Sequence, residues 1–432
     1  MAHFGVVAPA FYSHYSALGA LAGELVARGH RVTFLHRPDA AAYVSVPGVG
    51  FHAIGAATHP PGSLDAALRR AANPGGPLGL RRVILDMAAA TSMLCRELPR
   101  AIDTLGIDAL LADQMEAAGG LVGEALGLPF FSVACALPVN REPGIPLAVM
   151  PFDYATDERA QKMYEGSTRV YDWMMGPHRR SIADNARRLG LSARDGLHDC
   201  LSPLAQVSQT VEAFDFPRRT LPPHFYHVGP LRPTGIGGAA SRHFMPAVAA
   251  GKPFVFASLG TMQGGRLDLF RRIARACRQL DVQLLIAHCG GLDAAQERQL
   301  ERAGSTWVCA FANQAAVLAR ADAVVSHAGS NTVMDAIAAR TPILALPIAF
   351  DQPGTAARVV QAGIGLKASA RFASSARIAG LLRRLLDEQS FADRLEAMAP
   401  GVAAAGGTLR AADIIEAALA RQRRPESVAS LG

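Results

Sequence analysis

Short apolar runs alternate with stretches of helical period along most of the chain, and the alternation breaks once. The break is HVGPLRPTGIGGAASRH (227–243), rich in Gly and Pro and without periodicity. A strand, a helix and a second strand in the same sense close as a crossover onto a parallel sheet. Two series of such units around one linker therefore constrain the chain to two doubly wound α/β domains. At 432 residues a single ordinary core is not expected either.

In the first series FGVVAPA (4–10) reads as a buried strand and ALGALAGELVARGH as the helix after it, with Leu18, Leu21 and Leu25 at helical spacing and Gly29 as its stop. RVTFLH, FHAIG (51–55), DALLAD (108–113) and FFSVACA (130–136) follow as strands. Residues 140–200, opening with NREPGIPLAVMPF and continuing as a polar helical stretch, read as an insertion. In the second series the strands are PFVFASLG (253–260), QLLIAH (283–288), WVCAF (307–311), AVVSH (323–327) and PILALP (342–347). Helices are expected at 265–280, 314–320 and 330–339, and a final amphipathic helix at about 410–422 can belong to either half. The expected domains are 1–230, a linker 231–252, 253–410, and a C-terminal helix and tail 411–432.

The formal net charge is +7, but Lys and Arg are dispersed, and the RR pairs at 69–70, 81–82, 179–180 and 271–272 read as solvated helix faces. Without a basic stripe interleaved with aromatics, a nucleic-acid partner is not expected. The basicity favours anionic ligands or peripheral contact with an anionic membrane surface. Six cysteines without a C-x-x-C pair suit a reducing compartment. MAHFGVVAPA lacks the basic region of a signal peptide, and no apolar run of about 18 residues suggests a span. The expected location is the cytoplasm.

In open α/β sheets ligands sit beyond the carboxyl ends of strands, where helix N-termini concentrate N–H donors. The first turn, VVAPAFYSHYSAL, has no glycine, which argues against a dinucleotide fingerprint, and no P-loop is present. Two loops of the second half are better suited. SLGTMQGG follows a strand with Ser258 and Thr261, and SHAGSNT does the same with His327, Gly329, Ser330, Asn331 and Thr332. Each reads either as an anion site or as a capped turn, since Ser and Asn are preferred caps. The next strand ends at Asp351 and Gln352, an acid and an amide suited to vicinal hydroxyls. No D-x-D pair occurs, so no metal is expected, and the helix dipole with His327 would neutralise a diphosphate.

FANQAAVLARADAVVSHAGSNTVMDAIAARTPILALPIAFDQ (311–352) resembles the donor signature of the family-1 glycosyltransferases of GT-B fold, and SHYSALGALAGELVARGHRVTF resembles their first βα unit. CRELP, LPFFSVACALPVNREPGIPLAVMPF and SLGT are similar to the subgroup of bacterial zeaxanthin glucosyltransferases. The resemblance implies two Rossmann-like domains facing a cleft, UDP-glucose as co-substrate, no cofactor, and a hydrophobic hydroxylated acceptor such as zeaxanthin. It assigns His14 as catalytic base and Asp113 as the acid that orients it. Ser258, Thr261, His327, Gly329, Ser330, Asn331 and Thr332 fall near the phosphates, Phe311 under the uracil, and Gln314 beside it. Asp335 falls at the ribose-binding glutamate, one methylene short, and Asp351 with Gln352 at the hexose. Ser330 stands where a Trp is common.

The chemistry agrees with that assignment. An acceptor hydroxyl is a poor nucleophile at neutral pH, an imidazole can take its proton, and a buried carboxylate fixes the tautomer. His14 and Asp113 both lie just past strands of one sheet, facing one crevice, while His3, His30 and His36 read as structural. The expected reaction inverts the anomeric carbon. Macrolide, flavonoid or sterol acceptors would use the same pair, and a nucleotide-sugar epimerase or a carotenoid carrier would share the fold. The NREPGIPLAVMPF loop either covers a greasy channel, rests on a membrane, or packs on its own domain.

Overall fold

The computed structural model describes residues 1–234 and 244–423. The Gly-rich part of the expected linker, 235–243, and the end of the expected tail, 424–432, lie outside the described residues.

The first sheet has seven parallel strands: β1 (His3–Val7), β2 (Arg31–His36), β3 (Gly50–Ala53), β4 (Ala109–Asp113), β5 (Phe130–Ala134), β6 (Gln206–Ser208) and β7 (Phe225–His227), in the order β3-β2-β1-β4-β5-β6-β7. The second has six: β8 (Phe254–Ser258), β9 (Gln283–Ala287), β10 (Trp307–Cys309), β11 (Ala323–Ser326), β12 (Ile343–Ala345) and β13 (Gly365–Lys367), in the order β10-β9-β8-β11-β12-β13. In each sheet the order reverses beside the first strand, between β1 and β4 and between β8 and β11. Helices leave a crevice open at such switch points. β1, β4, β5, β8 and β9 are buried along their whole length, which is why they read as continuous apolar runs. β6, β7 and β13 are three residues each, too short to show any period, and the sequence pattern passes over them.

The first half carries α1 (Tyr12–Ala27), α2 (Ser63–Ala72), α3 (Pro77–Leu105), α4 (Ala117–Ala125), α5 (Glu158–Met174) and α6 (Gly176–Arg188). The second carries α7 (Gly260–Gln263), α8 (Leu267–Leu280), α9 (Ala294–Ala303), α10 (Gln314–Leu318), α11 (Ser330–Ala338), α12 (Gln352–Gln361), α13 (Ser375–Asp387) and α14 (Gln389–Ala404). The insertion 140–200 contributes α5 and α6 and no strand. α6 is fastened along α3 by Ser181, whose Oγ meets Ser92 Oγ at 2.8 Å and donates to the Ala88 carbonyl at 2.9 Å.

The last helix, α15 (Gly407–Arg423), returns to the first half. Ala411, Ile415, Ala418 and Leu419 join Leu18, Leu21 and Leu25 of α1 in one core cluster, so tertiary packing assigns the helix that its own sequence leaves open. Arg28 pairs with Asp413 and Glu416 at 2.6 Å, and His30 with Glu416 at 2.8 Å.

A second junction is polar. Arg358 of α12 meets Asp215 at 2.6 Å with both side chains 1% exposed, Arg218 adds a contact to the same carboxylate at 3.2 Å, and the Arg358 guanidinium lies 4.0 Å over Phe216. Beside it the NREPGIPLAVMPF loop packs against the second half instead of facing outward. A Cβ on Gly354 would run into the Ala148 carbonyl, and Ile145 clusters with Phe216 and Ala357.

Candidate active site

The two switch points face each other across a cleft of about 1720 Å³ lined by both halves. On the first side, α1 starts just past β1, which places His14 in its first turn, and β4 ends at Asp113 one strand away. His14 Nδ1 lies 2.6 Å from Asp113 Oδ2. Asp113 is fully buried, and its Oδ1 accepts from the Met115 N–H at 2.9 Å. A carboxylate on Nδ1 puts the proton there and leaves Nε2 as the basic nitrogen. Burial alone would lower the imidazole pKa. The charge and hydrogen bond of Asp113, with a contribution from Asp351 across the cleft, outweigh it and raise the value above the ordinary one.

On the second side stands α11, whose N-cap is Gly329 with no side-chain hydrogen bond. SHAGSNT is therefore not a side-chain-capped turn. Ser330 turns its hydroxyl to Asp351 Oδ2 at 3.1 Å, and Asn331 Nδ2 donates at 3.3 Å to the carbonyl of Ser13, the residue before His14. An uncapped helix start is a donor set for an anion. The His327 ring is wedged between two glycines. A Cβ on Gly329 would lie 2.5 Å from Nε2, and one on Gly260, at φ +71°, 2.8 Å from Cε1.

Burial pushes His327 down to about 4, so at neutral pH it is uncharged. The neutral ring can offer a hydrogen bond, and the charge of a diphosphate set against it would favour its protonated form. The positive charge here belongs to Arg232, which no sequence pattern marked. Its Nε donates to Asp335 Oδ1 at 2.8 Å and a terminal nitrogen to the Asn331 carbonyl at 2.9 Å. Arg232 sits in the Gly- and Pro-rich break, where a residue's chemistry has no strand end or helix start to advertise it.

Asp335 stands between Arg232 and Gln314. Oδ1 accepts from Arg232 and Oδ2 from Gln314 Nε2 at 2.7 Å, so the carboxylate ties Arg232 and Gln314 together and keeps a second lone pair on each oxygen. Thr332 Oγ1 in turn donates to Gln314 Oε1 at 3.4 Å. Gln352 Oε1 accepts from the Ile348 and Ala349 N–H groups at 2.9 and 2.8 Å, leaving its amide nitrogen for the cleft. Asp351 Oδ2 also accepts from the Leu137 N–H of the first half at 3.3 Å. Phe311, half-exposed, offers a flat apolar face, while Ser258 at the end of β8 and Thr261 in α7 line the floor below His327. Every site residue expected from the sequence lines this one cleft except Asp113, which stands behind His14.

The rest of the first-half wall is mostly apolar, with Leu68, Val83, Ile84, Met87, Ile145 and Met175. Charged groups interrupt it, and two of them, Arg37 and Glu116, are buried. Arg37 is 5% exposed and, among the described residues, no hydrogen bond or ion pair holds its guanidinium. Glu116, buried and pushed up to about 7 by that burial, accepts from Thr91 Oγ1 at 2.8 Å and caps α4. Both follow strand ends, β2 and β4, the signal by which the sequence could have singled them out. His36, expected to be structural, also lines the cleft. His14, Asp113 and Cys135 converge with one ligand atom each within 4.8 Å of one another. Burial and the Asp113 charge hold Cys135 as a thiol, and a thiolate is the form that ligates a metal.

Residues 202–399 match the sequence profile of UDP-glucoronosyl and UDP-glucosyl transferases. Over 96% of this chain and 96% of its own length, the zeaxanthin glucosyltransferase of Pantoea ananas is 51% identical. The chain belongs to the UDP-glucosyl transferase family. A second member, the zeaxanthin glucosyltransferase of Pseudescherichia vulneris, is 46% identical over 97% of this chain and 98% of its own. The calicheamicin glycosyltransferase CalG4 superposes with a TM-score of 0.73 over 98% of this chain and all of its own at 20% identity, a likeness of fold. The fold is GT-B, and this glucosyltransferase keeps its SLGTMQGG and SHAGSNT loops and its His–Asp pair on opposite walls of the cleft.

Proposed function

We propose that the protein is an inverting glucosyltransferase that moves glucose from UDP-glucose to a ring hydroxyl of zeaxanthin, giving zeaxanthin β-glucosides. The observation that carries the reading is the His14–Asp113 pair standing one residue from the contact between Ser13 and the uncapped start of α11. A base and an anion site are thereby held on opposite sides of one reacting centre. His14 Nε2 takes the hydroxyl proton as the acceptor oxygen attacks the anomeric carbon. The bond from that carbon to the diphosphate oxygen breaks on the opposite face, which inverts the configuration. Asp113 stabilises the imidazolium. UDP departs against the N–H donors of α11 and the Arg232 cation, with His327 as a hydrogen-bonding partner. Phe311 stacks on the uracil, and Asp351 with the Gln352 amide holds the hexose hydroxyls. This proposed route uses no metal and no cofactor.

The acceptor assignment is supported by the two near-full-length relatives named for zeaxanthin and by the apolar first-half wall. No described helix is long and apolar enough to cross a membrane. We place the reaction in the cytoplasm, with the protein peripheral to the membrane that holds the carotenoid. A second reading, a polyoxygenated acceptor of macrolide or flavonoid type, is favoured by the buried Arg37 in the same wall, whose Nε has no hydrogen-bond partner among the described residues.

Labelled UDP-glucose is incubated with zeaxanthin and with a panel of such acceptors. Label on zeaxanthin with stoichiometric UDP is the expected result. Transfer only to polyoxygenated acceptors would establish the second reading. Sugar interconversion without an acceptor, or binding without UDP release, would refute both.

A further inference from the structure

Trp173, one of two tryptophans in the chain, is 82% exposed. An indole brings a large apolar area that buried positions normally cover, and here water covers it. On α5 it has company: Val170 is 62% exposed and Met163 is 44%. Positions 163, 166, 170 and 173 fall on one stripe of a helix, with Gly166 completing it. The opposite face, with Ala160 and Tyr164, is buried in the domain. Arg159, Lys162 and Arg169 are exposed and flank the stripe, Lys162 paired with Glu158, while Glu165 lies farther round.

α3 repeats the pattern. Leu78 and Leu85 are exposed seven residues apart, and Arg81 and Arg82 share their face. The other side of that helix, with Val83, Ile84 and Met87, walls the cleft. Arg169 is both exposed and cleft-lining, so the cleft opens beside the α5 stripe. Apolar and indole side chains flanked by Arg and Lys match the headgroup region of an anionic bilayer. The ring enters the acyl boundary and the cations meet lipid phosphates. The NREPGIPLAVMPF loop has no such face, since it packs inward against α12.

We propose that the outer face of α5 docks the protein on an anionic lipid bilayer. Docking there sets the mouth of the acceptor side against the membrane. The benefit to catalysis rests on the lipophilic-acceptor reading, but lipid binding does not, so the two fail separately.

The test is co-sedimentation of the full chain with vesicles of phosphatidylcholine alone or mixed in equal parts with phosphatidylglycerol. The protein is expected to bind the mixed vesicles, to remain free with phosphatidylcholine, and to be released by added salt. With Trp307→Phe as background, Trp173 emission shifts to the blue on binding. Trp173→Ala with Val170→Ser lowers the partition coefficient about tenfold or more. Arg159→Glu with Lys162→Glu abolishes the preference for phosphatidylglycerol. None of these four side chains lines the cleft, so turnover of acceptor presented in detergent micelles stays at the wild-type rate. Absence of wild-type binding to mixed vesicles overturns the proposal, as does unchanged binding by the Trp173–Val170 variant. So does a protein dimer that Trp173→Ala dissolves while Trp173 emission ignores lipid, because the face then serves a second copy of the chain.

Discussion

Asp113→Asn isolates what the buried carboxylate contributes, because the amide has nearly the same shape. Its Oδ1 can still accept from the Met115 N–H, so the turn after β4 keeps its hydrogen bond. Two things change at His14. The amide donates to Nδ1 where the carboxylate accepted, so the imidazole is held with its proton on Nε2, the wrong nitrogen for a base facing the cleft. The charge is also lost. At 2.6 Å, with Asp113 fully buried and His14 nearly so, the contact is no surface ion pair. With an effective dielectric near 20, opposite unit charges about 4 Å apart attract by about 4 kcal/mol. If half to all of that has developed when the proton transfers, the barrier rises by about 2–4 kcal/mol and kcat falls about 30- to 1000-fold. The pH profile supplies the sign. In the wild type His14 must lose its proton to act, and Asp113 holds its pKa above the ordinary value, so activity is lost as pH falls through that raised value. In the variant burial is the largest remaining influence and lowers the pKa. The acid limb moves to lower pH, and the deficit is greatest at high pH and smaller in acid. Initial rates with UDP-glucose and a saturating acceptor from pH 5 to 9, with Tm as a folding control, decide the matter. Near-wild-type kcat with an unmoved acid limb would refute the base assignment.

Gly329→Ala keeps an ordinary φ but sets a Cβ 2.5 Å from His327 Nε2. The ring must move, at a cost of about 1–3 kcal/mol, and KM for UDP-glucose should rise more than kcat falls; unchanged donor kinetics would count against the wedge. Arg232→Gln removes the cation at the α11 start and leaves Asp335 with Gln314 alone. Calorimetry should find UDP bound about tenfold or more weakly, and an unchanged Kd would remove Arg232 from the donor site. Arg358→Met leaves Asp215 buried with only Arg218 to answer it, and should cost about 3–5 kcal/mol in denaturant unfolding. Burial alone would raise the Asp215 pKa, but Arg358 and Arg218 bring it below the usual carboxylate value. The stability this pair supplies is thus full above the unfolded-state pKa and lost as pH falls through the depressed one, so the wild-type advantage should shrink in acid.

The parallel strands were legible because burial on both faces forces continuous apolar runs, and the helices between them because one side of each must face the sheet. The cleft loops at β8 and β11 were legible for a related reason. Strand ends and helix starts are where backbone donors collect, so small polar residues there carry a chemical meaning that a sequence displays. The His14–Asp113 pair needed only the inference that two strand ends share one crevice. Other features depended on contacts between segments far apart in the chain. α15 has an apolar face that fits either half, and only its packing on α1 chooses. Arg232 lies in a segment without period, and its charge matters because the chain passes the start of α11. His327 looks cationic in a string of letters, yet burial beneath Gly260 and Gly329 leaves it neutral. Local pattern reports which face of an element must be buried; what a polar group meets across a domain boundary, and whether water reaches it, is settled only when the two halves close on each other.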